Sequence, residues 1–448
     1  MTHDELPSLM VCRGCGTTLE ALEPYPFACP HRDDGADHVV HRVLDAETLV
    51  FPGGTGDANP FIRFRTLLHA HHLAIAGGLG DDAFVELVSD LDDAVAKVDG
   101  RGFLTTPLRH EPGLAEAAGL LGPLLVKDET GNVAGSHKGR HLFGLLVHLQ
   151  VAERIGLIDA GDRRPLAIAS CGNAALAAAV VAAAGERELH VFVPTDADPS
   201  VVERLAALGA TVSVCVRQES TSGDPTYHAM RAAIAAGALP FTCQGNENGL
   251  AIEGGETLGY EVVADLVASD TPLDHVVVQV GGGALASAVA ASFAEAATFG
   301  VIERPPRFHT VQTEGAWPLK RAFDRVKALL DDKTGPDPIH RALRQAAQRR
   351  SEFMWPWETT PHSIAHGILD DETYDWLAVV EAMLVTGGRP VVVGEELLEH
   401  ANAIAAEATG IEVDATGSSG LAGLMALRER GVIGPGESAL VLFTGARR

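Results

Sequence analysis

The stretch Glu129-Thr130-Gly131-Asn132-Val133-Ala134-Gly135-Ser136-His137-Lys138-Gly139-Arg140-His141 gathers an amine, a guanidinium, imidazoles and a hydroxyl on one short loop. Leu142, Leu145, Leu146 and Leu149 follow at three- and four-residue spacing, which predicts a helix over 142–155. A lysine held at the positive end of a helix, in a pocket that excludes water, is disfavoured as an ammonium. It is then a better amine nucleophile, as Schiff-base chemistry requires. Alone, such a lysine reads as an ordinary surface residue. Other stretches further along the chain change that reading.

Ser170-Cys171-Gly172-Asn173 joins the strand-like Leu166–Ala169 to an alanine-rich helix. A strand–turn–helix with these small polar residues aims backbone N–H groups outward and makes an anion seat suited to a carboxylate. Gly281-Gly282-Gly283-Ala284-Leu285 follows the apolar strand 275–280 and opens another helix, where glycines let the backbone close on a phosphate. Thr444 ends the last strand, 439–443, with a hydroxyl at the edge where open α/β sheets bind ligands. Gly281-x-Gly283-x-x-Ala286 also satisfies a dinucleotide fingerprint. Its acidic partner should lie about 20 residues on. The candidate, Glu314, comes 31 residues after Gly283. A nicotinamide-dependent oxidoreductase would also leave Lys138 and Ser170–Asn173 without a role, and a catalytically silent binding protein would not need Lys138.

The elements that must position these residues alternate. Strands are predicted at 124–129, 166–169, 188–194, 211–216, 275–280, 308–314 and 439–443, with helices between them. This rhythm predicts an α/β protein with parallel, doubly wound open sheets covered by helices. Helices are predicted over 61–77 and 81–98 before the catalytic region. Residues 407–428 read as two helices parted by a glycine- and serine-rich loop at 412–420. The segment 327–375 is expected to border the active site, with no role assigned.

The chain has 448 residues, 46% hydrophobic, with 34 basic against 60 acidic residues and a formal charge of −26. Such a chain can bury a sizeable core, and the acidic balance argues against a nucleic-acid partner. No apolar run approaches the roughly 20 residues of a membrane span, and the charged Met1–Glu5 does not open a signal peptide. Six cysteines, three of them scattered at Cys171, Cys215 and Cys243, do not suggest a disulfide framework. A cytoplasmic protein with a small-molecule substrate is expected.

Cys12-Arg13-Gly14-Cys15-Gly16 is a C-x-x-C knuckle, and Cys29-Pro30-His31 forms half of a second. A structural zinc is expected at Cys12, Cys15 and Cys29, with His31 as the first candidate for the fourth ligand and His38 as the other. The alternative is a ribbon that folds without metal.

In this order, Thr106-Pro107-Leu108, Val126-Lys127-Asp128-Glu129, Gly135-Ser136-His137-Lys138, Ser170-Cys171-Gly172-Asn173, Glu253-Gly254-Gly255-Glu256-Thr257, Gly281–Leu285 and Thr444-Gly445 resemble the fold-type II pyridoxal-phosphate enzymes. Within that superfamily, which includes the β subunit of tryptophan synthase, they are most similar to the threonine synthase and threonine dehydratase group. The resemblance implies pyridoxal 5'-phosphate in a cleft between two α/β domains. It implies Lys138 as the catalytic Schiff-base lysine. His137, Asn173, Gly281, Gly282, Gly283, Ala284, Leu285 and Thr444 would hold the cofactor. Ser170, Cys171, Gly172, Asn173 and Arg140 would hold the substrate. A neutral hydroxyl at Thr444 would leave the pyridine nitrogen largely unprotonated and favour elimination or replacement over transamination.

The implied organisation is an accessory region at 1–104 and a catalytic region at 105–448, with a smaller domain at about 141–248 inserted in the larger. Homodimerisation is a family expectation. The favoured reaction is that of threonine synthase, conversion of O-phosphohomoserine to threonine and phosphate, with Arg140, His137 and Lys127 offered as a second phosphate pocket. The alternative is a serine/threonine ammonia-lyase or another β-elimination or β-replacement enzyme. Lys138-Gly139-Arg140 lacks the aspartate of the Lys-Asp-Arg usual in threonine synthases, and Ala446-Arg447 replaces the Lys-Asp expected after Thr444.

Overall fold

The computed structural model describes residues 6–33, 35–53, 56–217, 223–331 and 335–447. The opening Met1–Glu5, on which the reading of a missing signal peptide rests, lies outside them. The first two strands, β1 (Ser8–Cys12) and β2 (Val40–Leu44), pair antiparallel as a separate hairpin. Next come β3 (Leu108–His110), β4 (Leu124–Asp128), β5 (Leu166–Ala169), β6 (Leu189–Pro194), β7 (Thr211–Cys215) and β8 (Leu239–Pro240). The last four strands are β9 (His275–Gln279), β10 (Arg307–Thr313), β11 (Pro390–Val393) and β12 (Ala439–Phe443).

They form a six-stranded sheet in the order β11-β10-β9-β12-β4-β3 and a four-stranded sheet in the order β7-β6-β5-β8. Only β3 runs antiparallel to its neighbour. The segments that make the larger sheet therefore flank those that make the smaller. Strands β9 and β12 are buried at every position, as expected of parallel strands covered on both faces.

Glycines set how closely the helices approach. A Cβ on Gly144 would stand 3.0 Å from the Gly254 Cα, and one on Gly254 would stand 2.1 Å from the Arg140 carbonyl oxygen. The lysine-bearing helix Lys138–Arg154 and the helix Ala251–Ala268 thus touch backbone to backbone. The glycine- and serine-rich stretch read as a loop at 412–420 is largely helix. Asp414 caps Ala415–Glu429 by accepting from the Gly417 N–H at 2.5 Å. A Cβ on Gly423 would lie 2.0 Å from Val311, and one on Gly417 would lie 2.6 Å from the Gly445 nitrogen. These glycines serve close helix–sheet packing rather than chain reversal, which sequence composition does not distinguish.

Arg42, on β2, anchors the N-terminal hairpin to the catalytic region. Its buried guanidinium meets Glu253 at 3.0 Å, Glu295 at 2.9 Å and the Glu256 carboxylate. Three carboxylates around one cation leave excess negative charge. Burial, reinforced by Glu295 and Glu253, pushes Glu256 up to about 8 despite the pull of Arg42.

Candidate active site

Three motifs lie on neighbouring strands. β12 pairs parallel with both β4 and β9. The C-terminal ends of these strands carry the lysine loop, Thr444 and the glycine loop. Ligands of open α/β sheets bind at this edge. Short bridges fix the register, Ser136 pairing with Gly445 and the Ala446 N–H donating to the Gly135 carbonyl at 2.9 Å. The tail after Thr444 is thereby laced to the loop before Lys138.

Lys138 is the first residue of its helix and is half-buried. Its amine has no hydrogen-bond or ion-pair partner among the described residues. The loop reaches it through Ala134, whose φ of +54° is a left-handed conformation, and whose N–H donates to Asp99 at 2.9 Å. His137 is buried, with neither ring nitrogen hydrogen-bonded. Burial, then the neighbouring Lys138 charge, holds its imidazole neutral well below its ordinary value.

Arg140 departs from the expectation of a substrate ligand. It is fully buried and contacts Glu129 at 2.9 Å, Glu261 at 2.6 Å, Thr257 at 3.1 Å and Thr106 at 3.2 Å. Lys127, also offered for a phosphate pocket, is fully buried and paired with Glu261 at 2.6 Å. Two cations and two carboxylates form a closed neutral group under the lysine loop. Asn132 donates to Glu129 at 2.6 Å and ties the loop to it. Helical periodicity turns Arg140 inward, away from any ligand, which a linear motif does not reveal.

The glycine loop presents an anion seat. Among the described residues, no backbone carbonyl accepts from the N–H groups of Gly281 through Ala286, the loop and the first turn of the helix Ala284–Thr298. Gly283 has a φ of +103°, open to glycine. Apart from the Gly282 N–H, which faces the Asp370 carboxylate, these donors fit the phosphate of the implied cofactor. Thr444 accepts from the Gln279 side chain at 2.8 Å, and Gln279 also donates to the Leu442 and Gly417 carbonyls. Sequence reading missed this role of Gln279, which fixes the threonine hydroxyl. Across the cleft, Ser170, Cys171, Gly172 and Asn173 are half-buried at the end of β5, with Gly172 capping the helix Asn173–Ala184.

The segment without an assigned role supplies the wall facing the glycines. The Thr373 hydroxyl donates to the Gly281 carbonyl at 2.9 Å, and the Asp375 N–H donates to the Gly282 carbonyl at 3.0 Å. A Cβ on Gly281 would stand 2.2 Å from the Asp370 carboxylate, and one on Gly282 would stand 2.9 Å from Tyr374. Burial raises Asp370 to about 6 and Asp375 to about 7, and the Lys138 charge opposes both rises. Asp370 in turn adds to the rise of the Cys171 thiol, which is mainly due to burial. The Asp370 carboxylate itself lies against the glycine loop. The run Asp370-Asp371-Glu372 belongs to the segment 327–375 expected to border the active site, with no role assigned to its residues.

At the N-terminus, ligand atoms of Cys12, Cys15, Cys29 and His38 all lie within 4.8 Å of one another. Cys15 and Cys29 sulfurs are 3.6 Å apart, and Cys12 Sγ lies 3.5 Å from His38 Nδ1. Tetrahedral zinc with Zn–S near 2.3 Å sets sulfurs about 3.8 Å apart, so the donor set fits that ion. His31 is not in the group. Its Nδ1 lies 3.0 Å from the Thr17 hydroxyl, while the close approach of Gly14 to the Asp37 backbone brings His38 over the first knuckle.

The strand-end lysine, the glycine loop and Thr444 lie together at the edge where open α/β sheets bind ligands. Residues 101–445 match the family described as pyridoxal-phosphate dependent enzyme, and the chain belongs to that family. It is 26% identical over 345 residues to the threonine synthase of Methanocaldococcus jannaschii, covering 76% of this chain and 74% of that one. Among solved structures it is similar to maize serine racemase, with a TM-score of 0.57, 18% identity, and 81% and 93% of the two chains covered. It is also similar to processed threonine deaminase isoform 2 from Solanum lycopersicum, with a TM-score of 0.56, 17% identity, and 82% and 86% covered. These likenesses share the fold described above.

Proposed function

We propose that this protein is a lyase of the threonine synthase and threonine dehydratase group, removing a leaving group from the side chain of a free amino acid. The observation that carries the reading is the convergence of Lys138, Thr444 and the glycine loop on adjacent strand ends. Bound pyridoxal phosphate supplies the electron sink for charge at the substrate α-carbon. Lys138 would hold the cofactor, and its amine would accept the substrate α-proton. The N–H groups of Gly281–Leu285 would hold the phosphate, and His137, beside Thr444, would contact the cofactor. Gln279 fixes the Thr444 hydroxyl, which would face the cofactor. Ser170, Cys171, Gly172 and Asn173 hold the substrate carboxylate.

The similarity to threonine synthases supports O-phosphohomoserine as substrate. A second reading, β-elimination from a non-phosphorylated amino acid, is favoured by one observation. Arg140 and Lys127 are both spent on buried carboxylates, and burial holds His137 neutral. The geometry thus supports β-elimination better. A structural zinc at Cys12, Cys15, Cys29 and His38, a homodimer, and a cytoplasmic setting in keeping with six free cysteines complete the proposal.

The test is the visible absorption of the purified protein and of Lys138→Ala, with added O-phosphohomoserine, serine and threonine. A cofactor band lost in the variant supports the lysine assignment. Phosphate release from O-phosphohomoserine would favour the first reading, and keto-acid release from serine or threonine the second. No band after cofactor addition would refute both.

A further inference from the structure

The cysteine knuckle and the glycine loop are braced against opposite ends of one segment, 347–375. At the first end, the Asp37 N–H donates to the Ala347 carbonyl at 2.7 Å, and the Arg350 N–H donates to the Gly35 carbonyl at 3.3 Å. Asp37 precedes His38 of the metal site, and a Cβ on Gly14, between Cys12 and Cys15, would stand 1.7 Å from the Asp37 carbonyl oxygen. At the other end, the Thr373 hydroxyl and the Asp375 N–H hold the Gly281 and Gly282 carbonyls at 2.9 and 3.0 Å. Arg350 joins the two ends. Its guanidinium lies 3.5 Å from the buried Asp37 carboxylate and pairs with Glu372, the residue before Thr373. A more exposed pair, Arg13 with Glu381 at 2.7 Å, ties the knuckle to the helix Trp376–Thr386 that follows Asp375.

These contacts connect the metal site to the phosphate seat. A trans peptide sets its N–H opposite its C=O, so the hold of Asp375 on the Gly282 carbonyl fixes the direction of the Gly283 N–H. A structural zinc holds the chain segments that carry its ligands at fixed separations, and one of those segments carries Asp37. We propose that Arg350 is a positioning residue that couples metal occupancy at Cys12, Cys15, Cys29 and His38 to the affinity of the glycine loop for phosphate. The proposal rests on the reading of Gly281–Leu285 as the phosphate seat of a pyridoxal-phosphate enzyme. The coupling is reciprocal, because each ligand favours the arrangement of the 347–375 segment that favours the other.

The full chain, resolved of cofactor, is titrated with pyridoxal phosphate and with pyridoxal, which lacks the phosphate. The parent, the parent stripped of zinc by a chelator, and Arg350→Gln are compared, with cofactor absorbance read for affinity and elemental analysis for zinc. Stripping should weaken pyridoxal phosphate binding roughly 5- to 150-fold, the usual scale of coupling between two sites, and leave pyridoxal nearly unchanged. Arg350→Gln should keep its zinc, bind pyridoxal phosphate almost as weakly as the stripped parent, and lose little more when stripped, since both changes cut one link. Arg350→Lys should restore part of the affinity. Saturating pyridoxal phosphate should in turn raise zinc affinity, read by chelator competition, in the parent and not in Arg350→Gln. A purely structural role would lower thermal stability and leave the zinc dependence intact. That result, additive effects of stripping and substitution, or equal losses for pyridoxal and pyridoxal phosphate would overturn the proposal, as would a parent that takes up no zinc. If the stripped parent unfolds, zinc-loaded Arg350→Gln decides, because undiminished pyridoxal phosphate affinity there overturns it. Absence of a cofactor band in every form removes the pyridoxal-phosphate reading and this proposal with it, whereas tight binding without zinc dependence overturns this proposal alone.

Discussion

Arg140→Met tests whether the guanidinium beside the lysine is structural or waits for substrate. In the structure it donates to both oxygens of Glu129 and both oxygens of Glu261, with Thr257 and Thr106 completing its contacts. All the charged groups involved, Lys127 included, are fully buried. Removing the guanidinium leaves two enclosed carboxylates to share one ammonium. Breaking a buried pair from one side costs about 3–5 kcal/mol, because an uncompensated charge remains in a medium that solvates it poorly. Urea unfolding followed by circular dichroism should therefore lose about that much free energy. Arg140→Lys, which keeps charge but not the forked geometry, should fall between. Adding Glu129→Leu to Arg140→Met restores neutrality and should recover part of the loss. An Arg140→Met protein as stable as the parent, with only a raised KM for a phosphorylated substrate, would refute the structural assignment and restore Arg140 to the binding site.

The remaining expectations concern other parts of the molecule. Elemental analysis should find one zinc per chain, kept by His31→Ala and lost in His38→Ala and Cys29→Ser, whereas zinc loss in His31→Ala alone would reverse the ligand assignment. Glu256 ordinarily titrates near 4.5 but is raised to about 8 by burial among Glu295, Glu253 and the opposing Arg42. The fold favours its protonated form, so its contribution is full below about 4.5 and is lost as pH rises through about 8. Melting temperature should accordingly fall between pH 6 and pH 9, and Glu256→Gln should flatten that slope; an unchanged slope would count against the assignment. Thr444→Asp should weaken elimination and bring in measurable transamination; normal elimination with no transamination in this variant would contradict the role of the neutral hydroxyl.

Local sequence determined much of this protein. The three- and four-residue spacing of leucines after Lys138 made a helix because one apolar stripe must be buried. The unbroken apolar runs at 276–278 and 439–443 made parallel strands covered on both faces, as they read. The strand-to-helix turn at Gly281–Gly283 was legible because glycines there break an apolar strand before an alanine-rich helix. Tertiary structure decided the rest, for reasons of direction and distance. Arg140 sits two residues from Lys138, yet helical rotation sends one into a buried ion cluster and the other toward the cleft. His31 follows Cys29 more closely than His38 does, yet the turn of the chain, not the count of residues, brings a fourth ligand to the sulfurs. The segment 327–375 was expected at the active site without a role, and only the fold shows Asp370 pressed against Gly281, more than 80 positions earlier in the chain. A side chain's type is written locally, but the charge it must face is set by whatever the fold places opposite it.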